Sequence, residues 1–374
     1  SKSKTFFNVI VPQLITSMIG ASLIVFMASM ASFSAPFIFG GSERFLTTEI
    51  YSAKINGDNS AASSLAVMLT IISLLFLLLL RFYRSRKTYE IRYKGTPRTV
   101  ITGHKKGINI LSSTFTVIFS FLIVLPIFTL LFLSFIPEGS LMRNFFAEPF
   151  TFGNYSKIFG EAQFFDPFIN SLQMSVIAVA ITVVIGVGTA FLIVKKNVKG
   201  GNYLESILSL PYGIPGTVIA LAFILSFNFP SVFTGFIALV GTFWILPLAY
   251  AVRNLPILMQ SSISGFHSID PSLEEASFSM GATGVRTFRK ITGPLIFPAV
   301  LNGALLVFIN SIGEFVSTIL LYTYSTKTIS IEIYSQLRMY NTGAAASYGI
   351  ILFLIVMIVV YFSRKTLDKS VGIS

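Results

Sequence analysis

Eight stretches of the sequence are long, apolar and almost free of charge, and together they contain a single charged residue, Glu314. They lie at residues 9–39, 62–80, 110–136, 169–194, 206–227, 232–252, 293–320 and 344–363. A helix needs about 20 mostly apolar residues to cross the hydrocarbon core of a bilayer. Such a segment must also satisfy its own backbone hydrogen bonds there, which a helix does. We therefore predict an all-α, polytopic membrane helical bundle with eight spans.

The basic residues are distributed unequally between the predicted loops. If the first span runs outward from the cytoplasm, 21 of the 27 Lys and Arg residues fall in the inside loops. The positive-inside rule then predicts that both termini are cytoplasmic. The same asymmetry accounts for the net charge of +12, so no nucleic-acid partner is needed to explain it.

The sequence contains an internal repeat. Phe33 corresponds to Phe315, and the tetrapeptide Glu-Ile-Tyr-Ser at residues 49–52 recurs at residues 332–335. Chance similarity between apolar segments would rarely reproduce a loop tetrapeptide. We predict that residues 1–83 are the last two spans of a first unit, residues 84–108 a basic cytoplasmic linker, and residues 109–374 a complete six-span second unit. The remaining spans of the first unit then come from a longer polypeptide or from a separate chain.

The predicted cytoplasmic loop at residues 254–292 contains a short amphipathic helix. Asp270 is suited to cap it, Pro271 to begin it and Gly281 to end it. Glu274 and Glu275 lie near the positive end of the helix dipole. One face carries Leu273, Ala276 and Met280.

The segment from Glu275 to Pro294 resembles the EAA loop of ABC importer permeases, the MetI-like inner membrane components of binding-protein-dependent transport systems. In that family the loop forms a coupling helix that docks into a cleft on a cytoplasmic ATPase. Ser277 stands where a second alanine is usual, and Gly293 where a leucine is usual. The alternative is an interfacial helix without a partner. The resemblance assigns ATPase coupling to Glu274, Glu275, Ala276, Ser277, Gly281 and Arg286.

The resemblance also implies the partners. It predicts a type I ABC importer transmembrane domain in an inner (plasma) membrane, a cytoplasmic ABC ATPase dimer that uses ATP and Mg, and a substrate-binding protein outside. The sequence has no Walker motif for binding nucleotide phosphates, and no cysteine. His104 and His267 are isolated in predicted loops. We therefore predict a non-catalytic subunit without its own cofactor or metal, driven by a separate motor.

Glu314 forms a predicted polar stripe inside the span at residues 293–320. Asn310, Ser311 and Ser317 lie four and three residues before it and three after it, on one helix face. Buried polar groups in a membrane face a water-lined path or pair with each other. The stripe therefore either lines the translocation path or its gate, or braces neighbouring helices. The matching positions of the first unit are Ala28, Ser29, Ser32 and Ala35, so a path between the units would be asymmetric.

Pro211 and Pro215 interrupt the predicted span at residues 206–227. Breaks of this kind occur at gates and binding regions, and a packing kink is the alternative. Residues 209–218 also resemble the fused permeases of ferric iron importers and of their thiamine and phosphonate relatives. That resemblance implies ferric iron as the cargo, with thiamine, phosphonate or another small solute as alternatives.

Two other functional classes make different predictions. An ion-gradient-driven secondary carrier or channel also uses repeats and broken helices, but it would leave the spacing from Glu275 to Pro294 unexplained. A membrane-embedded enzyme would need clustered ionisable residues at one depth, whereas Glu314 stands alone within the predicted spans.

The outer loop before residue 160 is rich in aromatic residues and contains the sequon Asn154-Tyr155-Ser156. Such aromatic residues usually settle at the membrane interface, and here they are also candidates for docking a binding protein. The sequon has meaning only in a host that glycosylates exported loops. The aromatic residues are Phe145, Phe146, Phe150, Phe152, Tyr155 and Phe159.

Overall fold

The computed structural model describes residues 11, 18, 21, 22, 25, 26, 28–86, 106–137 and 150–370. This part of the chain is helical and contains no β-strand. In the part predicted to be the first unit, the helices with described bounds are α1 (Ser34–Phe39), α2 (Leu46–Ile55) and α3 (Asn59–Arg86).

The part predicted to be the second unit contributes the other α-helices with described bounds. In order they are α4 (Lys106–Ser134), α5 (Gly153–Gly160), α6 (Ala162–Val194), α7 (Gly201–Gly213), α8 (Gly216–Phe227), α9 (Ile245–His267), α10 (Pro271–Ser279), α11 (Gly284–Thr287), α12 (Gly293–Ile312), α13 (Thr318–Leu321), α14 (Ile329–Arg338) and α15 (Thr342–Ser370). A π-helical turn, Phe288–Thr292, joins α11 to α12.

Five helical segments of the described chain are long and apolar enough to cross a membrane, or six if the bent pair of α7 and α8 counts as one span. They are Asn59–Leu79, Ser112–Ser134, Ala162–Val194, Gly284–Ile312 and Thr342–Arg364. The all-α membrane bundle is thereby confirmed. The first predicted span, residues 9–39, lies largely outside the described residues, so the count of eight stays a prediction.

The helix expected at residues 232–252 begins at Ile245 and ends at His267. The preceding residues cannot continue it, because Gly235, Phe236 and Gly241 have φ values of +64°, +63° and +84°. Arg253, which directly follows the predicted span at residues 232–252, therefore lies within α9 and not in an inside loop. Residues 254–267, expected at the start of the coupling loop, also belong to this helix.

Helix α9 is the central helix of the second unit and packs against α6 and α12. Small residues permit the close approach. A Cβ atom at Gly186 of α6 would lie 2.8 Å from Leu258 Cδ2, and one at Gly303 of α12 would lie 2.9 Å from Ser261 Cβ. On α9, Tyr250 and Leu258 are fully buried. Helix α9 therefore connects the middle of the bundle directly to the coupling loop, and it is well packed along its length.

The two copies of the repeat contain matching elements. Helices α2 and α14 each have 10 residues. Arg44 Nε lies 4.0 Å from Glu49 Oε1 in the first copy. At the corresponding positions of the second copy, Lys327 forms an ion pair with Glu332.

Aromatic rings at the repeated positions also match. Phe33 contacts Tyr51 at 5.8 Å between ring centroids, and Phe315 contacts Tyr334 at 5.6 Å. Phe33 and Phe315 face each other at 6.1 Å. Repeated residues thus form part of the contact between the two units.

Asn154 of the sequon is buried and not exposed to solvent. Its Nδ2 atom donates hydrogen bonds of 2.9 Å to the carbonyl oxygens of Ser134 and Ile136. The side chain thereby satisfies carbonyl groups at the end of α4. Its role in this structure is to join α5 to α4.

Candidate functional site

Helix α10 has the ends that its sequence predicts. Asp270 Oδ1 accepts a hydrogen bond of 2.9 Å from the Ser272 backbone N–H, and Pro271 occupies the first turn. The backbone hydrogen bond from Ser272, together with one from its side chain, lowers the pKa of Asp270. At the other end Gly281 has a φ of +78°, and the N–H of Ala282 donates to the Ser277 carbonyl at 3.1 Å. This left-handed glycine closes the helix.

Glu274 fixes α10 to the membrane bundle. Its Oε2 lies 3.0 Å from Lys195 Nζ, just after α6, and its Oε1 accepts a hydrogen bond of 2.6 Å from Thr292 Oγ1 in the π turn. Burial of this carboxyl group raises its pKa, but the hydrogen bonds from Thr292 and Lys195 and the charge of Lys195 outweigh that effect. The pKa of Glu274 is therefore below its ordinary value, and the group is charged at neutral pH.

Ser277 also faces inward, where its hydroxyl makes a 2.9 Å hydrogen bond with Thr287 Oγ1. This contact explains why a hydroxyl side chain is accommodated where alanine is usual in the motif. Ser277 and Thr287 are both buried. They join α10 to α11.

The other residues assigned to coupling are exposed, namely Glu275, Ala276, Gly281 and Arg286. The apolar side chains around them are exposed as well, and these are Leu273, Phe278, Met280 and Val285. We call these eight residues the docking face. The predicted apolar face of α10, with Leu273, Ala276 and Met280, is thus exposed rather than packed against the bundle. An exposed apolar surface on a fixed helix is typical of a surface that binds a protein or a membrane.

A cavity of about 460 Å³ lies between the first and second units. Ala28 and Ser32 border it from the first unit. Four of the residues predicted for the path or gate border it from the second unit: Pro211, Pro215, Asn310 and Glu314. The other two, Ser311 and Ser317, are buried.

Glu314 does not lie on the helix face that we predicted. Helix α12 ends at Ile312, and Glu314 and Ser317 belong to the turn that follows. Glu314 Oε1 accepts a hydrogen bond of 2.8 Å from the Ser317 backbone N–H, which stabilises that turn. The prediction that Asn310, Ser311, Glu314 and Ser317 share one helix face is therefore wrong. The helix ends before Glu314, and the carboxylate binds the backbone of the turn that follows.

Arg253 is the partner of Glu314, with 2.5 Å between Nη1 and Oε1. Sequence reasoning missed this residue because it treated a cation as the end of a span. The sequence does indicate that the helix continues beyond Arg253, because apolar residues recur there at helical spacing. These are Leu255, Leu258, Met259 and Phe266. Since the carboxylate neutralises the guanidinium, Arg253 is tolerated inside α9.

The break between α7 and α8 lies beside this pair. The two helix axes differ by 107°, which confirms an interruption of this span. It lies at Ile214 and Pro215, and α7 continues through Pro211. A Cβ atom at Gly216 would lie 2.5 Å from Arg253 Nη1, and one at Gly213 would lie 2.6 Å from Leu77 Cδ1 of α3. Glycine at these two positions lets the bend contact both the ion pair and the first unit.

The described residues contain no group of three His, Cys, Asp or Glu side chains placed to hold a metal ion. Arg253 and Glu314 are the only charged residues among those that border the cavity in the described chain. His267 is exposed at the end of α9, and His104 lies outside the described residues, as do Phe145 and Phe146.

Comparison with known proteins gives one family. Residues 182–373 match the family model described as "Binding-protein-dependent transport system inner membrane component".

Three curated relatives show the range of similarity. The ferric transport system permease protein FbpB of Actinobacillus pleuropneumoniae is 30% identical over 372 residues, which is 97% of this chain and 52% of the relative. The probable ABC transporter permease protein y4fN of Sinorhizobium fredii is 27% identical, over 87% of this chain and 58% of the relative. The molybdate/tungstate transport system permease protein WtpB of Pyrococcus furiosus is 26% identical, over 54% of this chain and 77% of the relative. The chain spans about half the length of the first two.

Two solved structures share the fold. A bacterial alginate ABC transporter in complex with an alginate pentasaccharide-bound periplasmic protein contains a chain with a TM-score of 0.56 and 19% identity, over 71% of this chain and 96% of that chain. A bacterial ABC transporter involved in alginate import gives a TM-score of 0.52 and 18% identity, over 71% of this chain and 99% of that chain.

Proposed function

We propose, because the chain belongs to the family of binding-protein-dependent transport system inner membrane components, that it forms the membrane pathway of an ATP-driven ABC importer. The observation that carries this proposal is the arrangement of α10. Glu274 and Ser277 tie the helix to the bundle, while Glu275, Leu273 and Met280 are exposed beside it. A fixed helix with an unpaired apolar surface is suited to transmit force from a partner.

The partner that fits the docking face is a cytoplasmic ABC ATPase dimer, which would use ATP and Mg²⁺ itself. On the bundle side, Lys195 and Thr292 hold α10 against the ends of α6 and α12. Helix α9 ends at His267, only a few residues before α10 begins. A displacement of α10 would therefore reach α6, α9 and α12 together.

The cargo would cross between the units, through the cavity bordered by Pro211, Pro215, Asn310 and Glu314. Support comes from the 107° break beside the cavity, because broken helices occur at the binding regions and gates of transporters. Glu314 also holds neighbouring elements together, because it contacts Arg253 of α9 and the Ser317 backbone. These two roles are compatible, because a gate must be held closed by specific contacts.

Ferric iron is the cargo that we propose, since two relatives of this chain are named as ferric transport permeases and are 30% identical. Thiamine, phosphonate or another small solute are alternatives within the same class. A substrate-binding protein would deliver the cargo to the outer face, in an inner membrane with both termini cytoplasmic. One of the similar structures holds a periplasmic protein, which supports this assembly.

The test is ATP-dependent uptake of radiolabelled ferric iron by the reconstituted complex of permease, ATPase and binding protein. Glu275→Arg combined with Gly281→Pro is expected to abolish uptake and to release the ATPase on co-purification. Glu43→Arg, at an exposed position outside the docking face, is the control for the charge change. Full uptake and normal ATPase association in the double variant would contradict the coupling role of α10.

A further inference from the structure

The two charged residues of the cavity are not equally accessible. The side chain of Arg253 is 30% exposed, whereas that of Glu314 is 9% exposed. Glu314 Oε1 already accepts hydrogen bonds from Arg253 and from the Ser317 backbone. A solute in the cavity therefore meets the guanidinium more readily than the carboxylate.

Arg253 retains hydrogen-bonding capacity toward the cavity. A guanidinium has five N–H donors in one plane and binds carboxylate and phosphate oxygens in a forked arrangement. Within the described chain its side chain makes one hydrogen bond, to Glu314. The nearby Asn310 is exposed and contributes amide donors at the same cavity.

The amino end of α8 lies beside the Arg253 guanidinium and adds further N–H donors at the cavity. Helix α8 has 12 residues and begins at Gly216, where a Cβ atom would lie 2.5 Å from Arg253 Nη1. The first N–H groups of a helix lack partners within it, and the helix dipole is positive there. The guanidinium and the helix terminus thus lie side by side.

The cavity is poorly suited to a bare metal cation. The carboxylate that borders it, Glu314, is already paired, and the described chain offers no set of metal ligands there. The ion pair has no net charge, so it offers a trivalent ion no excess negative charge, and its more exposed member is the guanidinium. The volume of about 460 Å³ lies in the range of small-ligand sites, so it has room for a complex larger than an ion.

We infer that the cavity admits its cargo as an oxygen-rich anion, recognised by Arg253 and Asn310, and that it excludes the bare metal ion. Two sources share this chemistry: iron carried in an anionic carboxylate or phosphate chelate, and a free oxyanion. The relatives of this chain include permeases named for ferric iron and for molybdate/tungstate. This inference rests on the proposed import function and names the form of its substrate.

The experiment measures equilibrium binding to the permease–ATPase complex in lipid nanodiscs, using ferric citrate, molybdate and terbium(III) as separate probes. Arg253→Gln is expected to weaken binding of the anionic probe at least tenfold, and Arg253→Lys to give an intermediate loss because the charge remains but the fork is gone. Glu314→Gln is expected to strengthen it severalfold, since it frees the guanidinium. Arg338→Gln, at the end of α14 and away from the cavity, is the matched control and leaves binding unchanged.

The outcomes separate the two sources and the two proposals. Arginine-dependent binding of ferric citrate supports a chelate, and arginine-dependent binding of molybdate alone supports a free oxyanion. Anion binding that is unchanged in Arg253→Gln, or terbium binding with no anion binding, overturns the inference. If the single variant does not fold, the double variant Arg253→Gln, Glu314→Gln replaces it, because it removes both charges together. It is also expected to bind the anionic probe more weakly. ATP-dependent uptake without dependence on Arg253 contradicts this inference alone, whereas arginine-dependent binding without ATP-dependent uptake contradicts the proposed function alone.

Discussion

Arg253 Nη1 lies 2.5 Å from Glu314 Oε1, and this ion pair joins α9 to the turn after α12 beside the bend between α7 and α8. The two residues are the only charged members of the described cavity lining. A charge is retained inside a membrane bundle when it is paired and serves a site or pathway. The pair therefore links the wall of the cavity to the helix that leads toward the docking face.

Removal of one partner of this pair is expected to destabilise the bundle more than removal of both. Arg253→Met leaves the Glu314 carboxylate buried and unpaired, at a cost of about 3 kcal/mol. Arg253→Met with Glu314→Leu removes the uncompensated charge and recovers part of that loss. Thermal unfolding of the purified permease in nanodiscs gives the double-mutant cycle. Strictly additive effects of the two substitutions would contradict a direct interaction.

Glu274→Gln is expected to loosen α10 without removing the docking face. The variant loses the ion pair with Lys195, so amide hydrogen exchange in α10 rises about tenfold, as expected for loss of a charge-assisted hydrogen bond of about 1.5 kcal/mol. Glu275→Gln, which changes an exposed neighbour in the same way, is the control. Equal exchange in both variants would show that Glu274 does not hold the helix.

The contact between Glu274 and Lys195 also has an expected pH dependence. The pKa of Glu274 is lowered in the folded protein, so the charged state contributes stability above the ordinary glutamate pKa of about 4.3. That contribution is lost as the pH falls through the lower, folded value. Hydrogen exchange in α10, corrected for the intrinsic rate, should therefore be constant near neutral pH and rise only in acid. A rise near pH 6 or 7 would exclude this carboxylate as its cause.

Gly281→Ala is expected to weaken ATPase binding by distorting the end of α10. Gly281 has a φ of +78°, which costs a residue with a Cβ atom about 1 kcal/mol. Gly284→Ala is a matched control, because a Cβ atom there has no neighbour within 4 Å and its φ is not in the left-handed region. The dissociation constant for the ATPase, measured by surface plasmon resonance on nanodiscs, checks both. Equal constants for the two variants would argue against a role for this turn.

Gly216→Ala is expected to lower uptake severalfold while the complex still assembles. The added Cβ would lie 2.5 Å from Arg253 Nη1, the atom that binds Glu314, so the guanidinium must shift and its contact with Glu314 is weakened. Gly188→Ala in α6 is the control, since a Cβ atom there meets nothing within 4 Å. Uptake is measured in proteoliposomes with co-purification of the ATPase alongside. Unchanged uptake in the Gly216 variant would show that the bend does not depend on this contact.

Local signals in the sequence were sufficient for some parts of this account. The caps of α10, from Asp270 to Gly281, follow from backbone chemistry that each residue carries with it. The break at Ile214 and Pro215 follows in the same way from proline, which lacks an N–H and disfavours a helical conformation in the residue before it, whereas α7 continues through Pro211.

Long-range contacts could not be read from the sequence in that way. Arg253 lies inside α9 because Glu314, far along the chain, neutralises it. Glu274 and Glu275 are adjacent and identical in type, yet the first is an anchor because it contacts Lys195 and Thr292. Such roles depend on which helices pack together, and no local pattern records that.

The docking of α10 into a cytoplasmic motor is tested most directly by site-specific cross-linking. The chain has no cysteine, so a single introduced thiol is unambiguous. Met280→Cys, 80% exposed on the docking face, should cross-link to the ATPase and react with a membrane-impermeant maleimide only from the cytoplasmic side. Ile55→Cys, exposed at the end of α2, should show neither behaviour. A thiol at residue 280 that is labelled from outside, or that never cross-links to the ATPase in an assembled complex, would contradict the proposed coupling.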